Sequence, residues 1–185
     1  MSDRSVAPGR RFVFLRAVNT GGRRLTNDQV VEPFRRIGLQ DVAAYQAAGN
    51  VAVRSDDDPA ELEVRLETVL ADAYGFATPT FVRSAEELRA VVDAVPFDAE
   101  QIGATDGRVQ VTFLRSNPDT AQRRALDDLV PDEDAVEVGD RVWYWLPRHG
   151  LSDSELPVGR IEQVLGTMTM RTLGTVERML AKFDD

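Results

Sequence analysis

Apolar periodicity along this chain runs through one order of elements, strand-helix-strand-strand-helix-strand-helix, and then runs through it again. No other feature restricts the possible folds as much. The first pass opens with an apolar strand at 11–18, rich enough in apolar residues to be covered on both faces, and ends in Asn19-Thr20-Gly21-Gly22, a loop signal. Thr26 reads as a helix N-cap with Gln29 as its capping-box partner, and Val30, Val31, Phe34 and Ile37 share the next helical face. Pro33 in that helix predicts a kink or a late start, because an interior proline removes a hydrogen bond and costs about 3 kcal/mol. Short strands at 42–45 and 51–54 flank Gly49-Asn50 as a hairpin. Asp58-Pro59 opens a helix with the stripe Leu62, Leu66, Val69, Leu70 and Ala73, ended by Gly75. A strand at 78–82 and a helix capped by Ser84 with Glu87 complete the pass at Pro96.

The second pass starts with Val109, Val111 and Phe113 alternating against Gln110 and Thr112. Asn117-Pro118-Asp119 starts a helix, and strands at 135–138 and 141–146 flank Gly139-Asp140, which reads as a two-residue turn with glycine first. A helix around Val158, Ile161 and Leu165, a strand at 167–170 and a helix with Val176, Met179, Leu180 and Phe183 follow. Phe14-Leu15-Arg16 recurs as Phe113-Leu114-Arg115, and Arg83-Ser84 as Arg171-Thr172, at matching places in the order. A β-α-β-β-α-β unit folds most readily as a ferredoxin-like sandwich. The expected class is therefore α+β, a tandem duplication of a ferredoxin-like β-α-β-β-α-β unit, each followed by an extra helix. Residues 1–9 read as a flexible tail, 10–96 as the first repeat, 97–107 as a connection and 108–185 as the second repeat.

Composition narrows the chemistry. With no cysteine there is no disulfide framework, thiolate nucleophile or Cys-based metal site. No apolar run approaches the length needed to cross a bilayer, and no secretory leader is visible, so a cytoplasmic location is the expectation. Lys and Arg total 22 against 31 Asp and Glu, a net charge of −9 that works against non-specific attraction to nucleic acid. No metal or cofactor signature is present: the chain has neither a phosphate loop nor a His-Glu-x-x-His pair. The acidic runs Asp56-Asp57-Asp58 and Asp132-Glu133-Asp134 read as solvated turns.

Two edges could hold a ligand. In the expected topology the loop after the first strand meets the first hairpin, gathering Arg16, Asn19, Gly21, Gly22, Arg23, Arg24, Tyr45, Gly49 and Asn50. Glycines admit close backbone approach, a capped helix offers amides and arginines add charge, a combination suited to phosphate or carboxylate. The same glycines would equally serve a plain turn. The second edge gathers His149, Gly150 and Ser154 near Arg171, Thr172 and Thr175. Hydroxyls beside the chain's one histidine suit nucleophilic chemistry, yet no nucleophile elbow is present, and Ser152 with Glu155 also makes a capping box. Trp143, Tyr144 and Trp145 on one strand raise the question of base stacking, although alternation sends them to opposite faces.

The stretch Phe14-Leu15-Arg16-Ala17-Val18-Asn19-Thr20-Gly21-Gly22, with Tyr45 and Ala48-Gly49-Asn50, resembles the bacterial family called domain of unknown function 1697. Its members read Leu-Leu-Arg-Gly-Ile-Asn-Val-Gly-Gly and then Tyr-x-x-Ser-Gly-Asn. The resemblance continues through Val111-Thr112-Phe113-Leu114, Pro147, Gly150 and Ser154-Glu155-Leu156 to the stretch from Thr169 to Thr175. Ala17 stands in place of the usual glycine, Ala48 of serine, Glu155 of lysine and Thr172-Leu173 of Asn-Trp. The resemblance implies an α/β fold with internal repetition and no assigned activity. The leading reading is a binding protein for a small anionic ligand or a protein partner, with homo-oligomerisation open. The alternatives are a small-molecule enzyme using Ser154, Arg171 and Thr172, or single-stranded nucleic-acid binding on a sheet face.

Overall fold

A computed structural model describes residues 8–19, 22, 24–46 and 48–184. The elements are β1 (Arg10–Leu15), α1 (Asn27–Arg36), β2 (Gln40–Tyr45), β3 (Asn50–Arg54), α2 (Pro59–Tyr74), β4 (Thr80–Ser84), α3 (Ala85–Asp93), α4 (Ala99–Gly103), β5 (Gln110–Leu114), α5 (Thr120–Asp127), β6 (Ala135–Val138), β7 (Val142–Leu146), α6 (Val158–Leu165), β8 (Met168–Thr172) and α7 (Leu173–Phe183). They form two four-stranded antiparallel sheets, each with helices, ordered β2-β3-β1-β4 and β6-β7-β5-β8. This is the tandem two-unit α+β class expected from the sequence. Two compact units divide the chain: one runs to Leu88 and takes in Met179 onward, the other spans Arg89–Arg178. Among the described residues no helix is long and apolar enough to cross a membrane.

In the first unit, Val13, Leu15, Val51, Val53 and Val82 of the sheet pack against Val30, Val31 and Phe34 of α1 and Leu62, Leu66 and Leu70 of α2. Phe12 and Phe14, alternating with those residues along β1, are buried as well, so both faces of the strand are covered. Thr26 and Gln29 form the expected capping box, which fixes the start of α1 at Asn27 and leaves Pro33 inside the helix, one turn before its end. Asp58 caps α2 through the amides of Ala60 and Glu61, and Gly75 ends it with φ 74.

Strand β4 lies at the edge of its sheet, so alternate amides point away from β1 and need other acceptors. Helix α2 supplies them. Glu67 accepts from Thr80 N and Glu63, one turn earlier, from Val82 N, both at 2.8 Å. Glu87 accepts from Ser84 N at 2.7 Å while Ser84 Oγ caps α3. Glu63 is buried and its carboxylate lies 3.6 Å from the guanidinium of Arg83, itself 1% exposed.

The second unit packs Leu114, Trp143, Trp145 and Met168 against Leu126, Leu156, Ile161 and Leu165. It includes the later part of α3, where Val91 O accepts the Tyr144 hydroxyl at 2.8 Å. Burial pushes that hydroxyl's pKa up to about 12. Arg171 opposes Val111 as Arg83 opposes Phe12, and each arginine donates from Nη1 to the carbonyl of the preceding residue at 2.7 Å. The connection holds a feature absent from the expectation, the short helix α4 with its own Asp98/Gln101 capping box.

The hairpin between β6 and β7 corrects the expected two-residue turn. The left-handed residue is Arg141, φ 50, not the glycine. Gly139 N donates to Val142 O at 2.9 Å, and Asn117 holds the Asp140-Arg141 pair between them by accepting from Arg141 N at 2.6 Å and donating to Asp140 at 2.8 Å. Gly139 is there for space, since a Cβ would stand 2.9 Å from Val142 Cγ1.

Replacing Glu63 should show how much the edge bonds stabilise the fold. Glu63→Ala leaves the Val82 amide and the Arg83 guanidinium buried without their carboxylate, and is expected to destabilise by about 3–5 kcal/mol. Glu67→Ala, at a half-buried position, is expected to lose about 1–2 kcal/mol. Urea denaturation of both variants and the parent measures the difference.

Candidate functional site

The first edge is assembled where β1 ends. Leu15 N donates to Gly49 O at 2.7 Å, and Arg16 N to Pro79 O at 2.9 Å, so the loop after β1 is fixed to its neighbours on two sides. Gly49 makes the first contact possible: its φ is 71, and a Cβ would stand 3.0 Å from Leu15 O and 3.3 Å from Val18 Cβ. Beyond Val18 the chain turns through Asn19, φ 60, whose amide donates to Leu25 O at 3.2 Å and accepts from Leu25 N at 2.5 Å. One side chain thus closes the loop and delivers the chain to the cap of α1. A cavity of about 430 Å³ opens there, lined by Asn19, Arg24, Leu25 and Thr26.

The sequence-derived candidates divide on this geometry. Asn19 lines the cavity, as does the exposed Arg24. Arg16 is half-buried beside it in sequence, and Gly22 is exposed with φ 84. Asn50 is fully buried and donates to Tyr45 O at 3.3 Å, fastening the hairpin from inside. The Tyr45 ring meets Phe183 edge-on, with centroids 6.2 Å apart. Gly21 and Arg23 lie outside the described residues.

The second edge separates into two groups. Asp134, only 9% exposed, accepts from Trp145 Nε1 at 3.0 Å, Arg148 N at 2.9 Å and Ser154 Oγ at 2.6 Å. This corrects the reading of its acidic run as wholly solvated. Ser154 Oγ also accepts from Leu156 N at 3.0 Å, so its proton and a lone pair are both engaged. Helix α6 begins at Val158 without a side-chain cap, so the Ser152/Glu155 capping box does not start it. The other group is Arg171, which donates to Thr169 Oγ1 at 2.9 Å, and Thr172, whose hydroxyl shares a 2.9 Å bond with that of Thr175. Desolvation lowers the Arg171 pKa to about 10, still well above neutrality. His149 and Gly150 sit in the 147–153 loop, against which the connection packs: Asp106 N donates to Arg148 O at 3.2 Å and Arg148 Nη1 to Ala104 O at 2.7 Å.

Among the described residues no three His, Asp or Glu side chains gather as metal ligands. Trp143, Tyr144 and Trp145 are at most 2% exposed, so they present no ring face to a base. Glu63 and Asp134 are the buried carboxylates that sequence reasoning missed. The four-residue spacing of Glu63 and Glu67 beside the leucine stripe was a usable signal for the first. Nothing in its own run distinguished Asp134.

Comparison with known proteins adds the family. The family described as "Protein of unknown function (DUF1697)" matches residues 9–144. The chain belongs to it. A solved structure, that of the conserved bacterial protein SP0830 from Streptococcus pneumoniae, superposes with a TM-score of 0.69 at 22% identity. The match covers 92% of this chain and 96% of that one, and at this identity it speaks for the fold alone. No curated protein matches.

Within the DUF1697 pattern, Ala17 takes on a physical meaning. It stands where the resembled pattern has glycine, at a residue whose φ is 60, a conformation that strains any side chain by roughly 1–2 kcal/mol. Ala17→Gly is expected to raise stability by about 0.5–1 kcal/mol after the added flexibility of the unfolded glycine is subtracted, a shift of about 1–4 °C in Tm. At the second edge, a Cβ on Gly107 would lie 2.2 Å from Pro147 O and 2.9 Å from His149 O. Because both obstacles are backbone, Gly107→Ala is expected to destabilise by about 3 kcal/mol, readable in the same thermal melts.

Proposed function

We propose that this DUF1697 protein binds a small anionic ligand in the cleft at the end of β1, with Arg24 as the charged contact and Asn19 shaping the floor. The cavity of about 430 Å³ beside Arg24, Leu25 and Thr26 carries the reading. Its size falls within the range of small-molecule pockets. An exposed guanidinium at the mouth and an apolar residue in the wall favour a ligand that joins a phosphate or carboxylate to a compact apolar body. The Thr26 hydroxyl and the Gln29 backbone amide are engaged with each other in the capping box at 3.2 Å, and among the described lining residues Arg24 carries the charge.

The same proposal extends to origin and place. The two units derive from duplication of one ferredoxin-like β-α-β-β-α-β unit, the repeats being 10–96 and 108–185 with a connection at 97–107. Matching strand orders support this, as does the Leu114 N to Arg141 O bond of 2.9 Å, which repeats the Leu15–Gly49 bond. A cysteine-free chain of this acidity suits the cytoplasm.

Calorimetric titration with inorganic phosphate, citrate, nucleoside monophosphates and short-chain acyl phosphates tests the cleft. At least one is expected to bind the parent, and Arg24→Ala to weaken it about tenfold or more, in keeping with the loss of a charge-assisted hydrogen bond. Flat curves for the whole panel, or equal affinities for parent and variant, would remove the reading.

A further inference from the structure

The chain's one lysine, Lys182, and its neighbour Phe183 form the last turn of α7, and both engage the first hairpin. Lys182 Nζ lies 5.7 Å from the centroid of the Tyr45 ring and 5.4 Å from that of Phe183, while Phe183 meets Tyr45 at 87°, edge to face. These are the distances of cation–π and T-shaped aromatic contacts. The unit containing the cleft also claims Met179 onward, although those residues follow the whole of the other unit in sequence.

We propose that the last turn of α7 is a strap that holds the β2–β3 hairpin through Tyr45, and that its release loosens the cleft floor. An unbroken series of contacts leads from one to the other. Tyr45 carries the ring contact on its side chain and, on its carbonyl, the bond from the buried Asn50 amide. Gly49, next to Asn50, accepts from Leu15 N at 2.7 Å and packs against Val18. Val18 precedes Asn19, which lines the cavity. In the strap Lys182 is exposed and Phe183 half-buried, whereas Asn50 and Gly49 are buried, so the strap is the part of this series that can open at least expense to the rest. Its role in regulating binding rests on the cleft being a ligand site; its mechanical role does not.

Hydrogen exchange on the full chain reads the strap directly, without any ligand. Phe183→Ala is expected to speed exchange of the amides of 48–50, 17–19, 24 and 25 by about two- to tenfold, and Lys182→Ala by about twofold, with β5 to β8 unchanged. Phe183→Leu keeps apolar volume in the last turn and should give an intermediate acceleration at the same amides. Unchanged exchange at 48–50 in Phe183→Ala, or equal acceleration throughout the chain, would overturn the strap. Titration of any anion found to bind the parent adds the regulatory arm: a strap variant that changes neither affinity nor on-rate while accelerating exchange would limit the strap to a mechanical role and overturn the regulatory one.

Discussion

The first unit depends on the satisfaction of one sheet edge. An edge strand leaves every second amide without a partner, and burying it unpaired would forfeit much of the stability a small unit can hold. Here the amides of Thr80, Val82 and Ser84 find carboxylates of Glu67, Glu63 and Glu87. The first two come from successive turns of α2, so the helix that buries Leu62, Leu66 and Leu70 also completes the hydrogen bonding of the strand beside it. Packing and polar satisfaction then specify one position of α2. Arg83, held by the same Glu63, extends that arrangement to the neighbouring residue of β4.

Position of the edge matters to the cleft through β1. With β4 fixed, β1 is paired on both sides, and its end at Leu15 meets Gly49 from β3's side and Pro79, through Arg16 N, from β4's side. The loop that follows leaves a fixed point, and Asn19 closes it with two bonds to Leu25. The cavity therefore sits on a loop anchored at the strand end, with the exposed Arg24 at its side.

How much of this could be read in the sequence follows from range. The Thr26/Gln29 box, the Asp58-Pro59 start and the left-handed Gly75 are decided within four residues, and each stands where the sequence places it. The element order survived because periodicity sums over whole elements. What escaped depends on distant residues. Asp134 looked like part of a charged turn because its donors, Trp145 and Ser154, arrive only through the fold. Asn50 looked like a ligand contact, yet burial commits its amide to the hairpin. The 139–141 turn was misjudged because Gly139 answers to the crowding of Val142 and Tyr144 rather than to its own φ, while Asn117 compels Arg141 to take the left-handed state. Helix α4 escaped because five residues are too few to show a stripe, although its capping spacing was visible.

The two units differ at the end of their first strands. Leu15 and Leu114 make the same bond at the end of the first strand of each sheet, to Gly49 and to Arg141, and both acceptors are left-handed at φ 71 and 50. At Gly49 a Cβ would stand 3.0 Å from Leu15 O, so glycine allows the loop after β1 to close onto the hairpin and turn outward through Asn19. At Arg141 a side chain is present, and the following loop is used differently: Asn117 bonds both Asp140 and Arg141 and draws the chain across the turn. One geometric motif thus has two settings: a glycine lies against Leu15 and Val18 in the first unit, and an arginine bonded to Asn117 takes its place in the second.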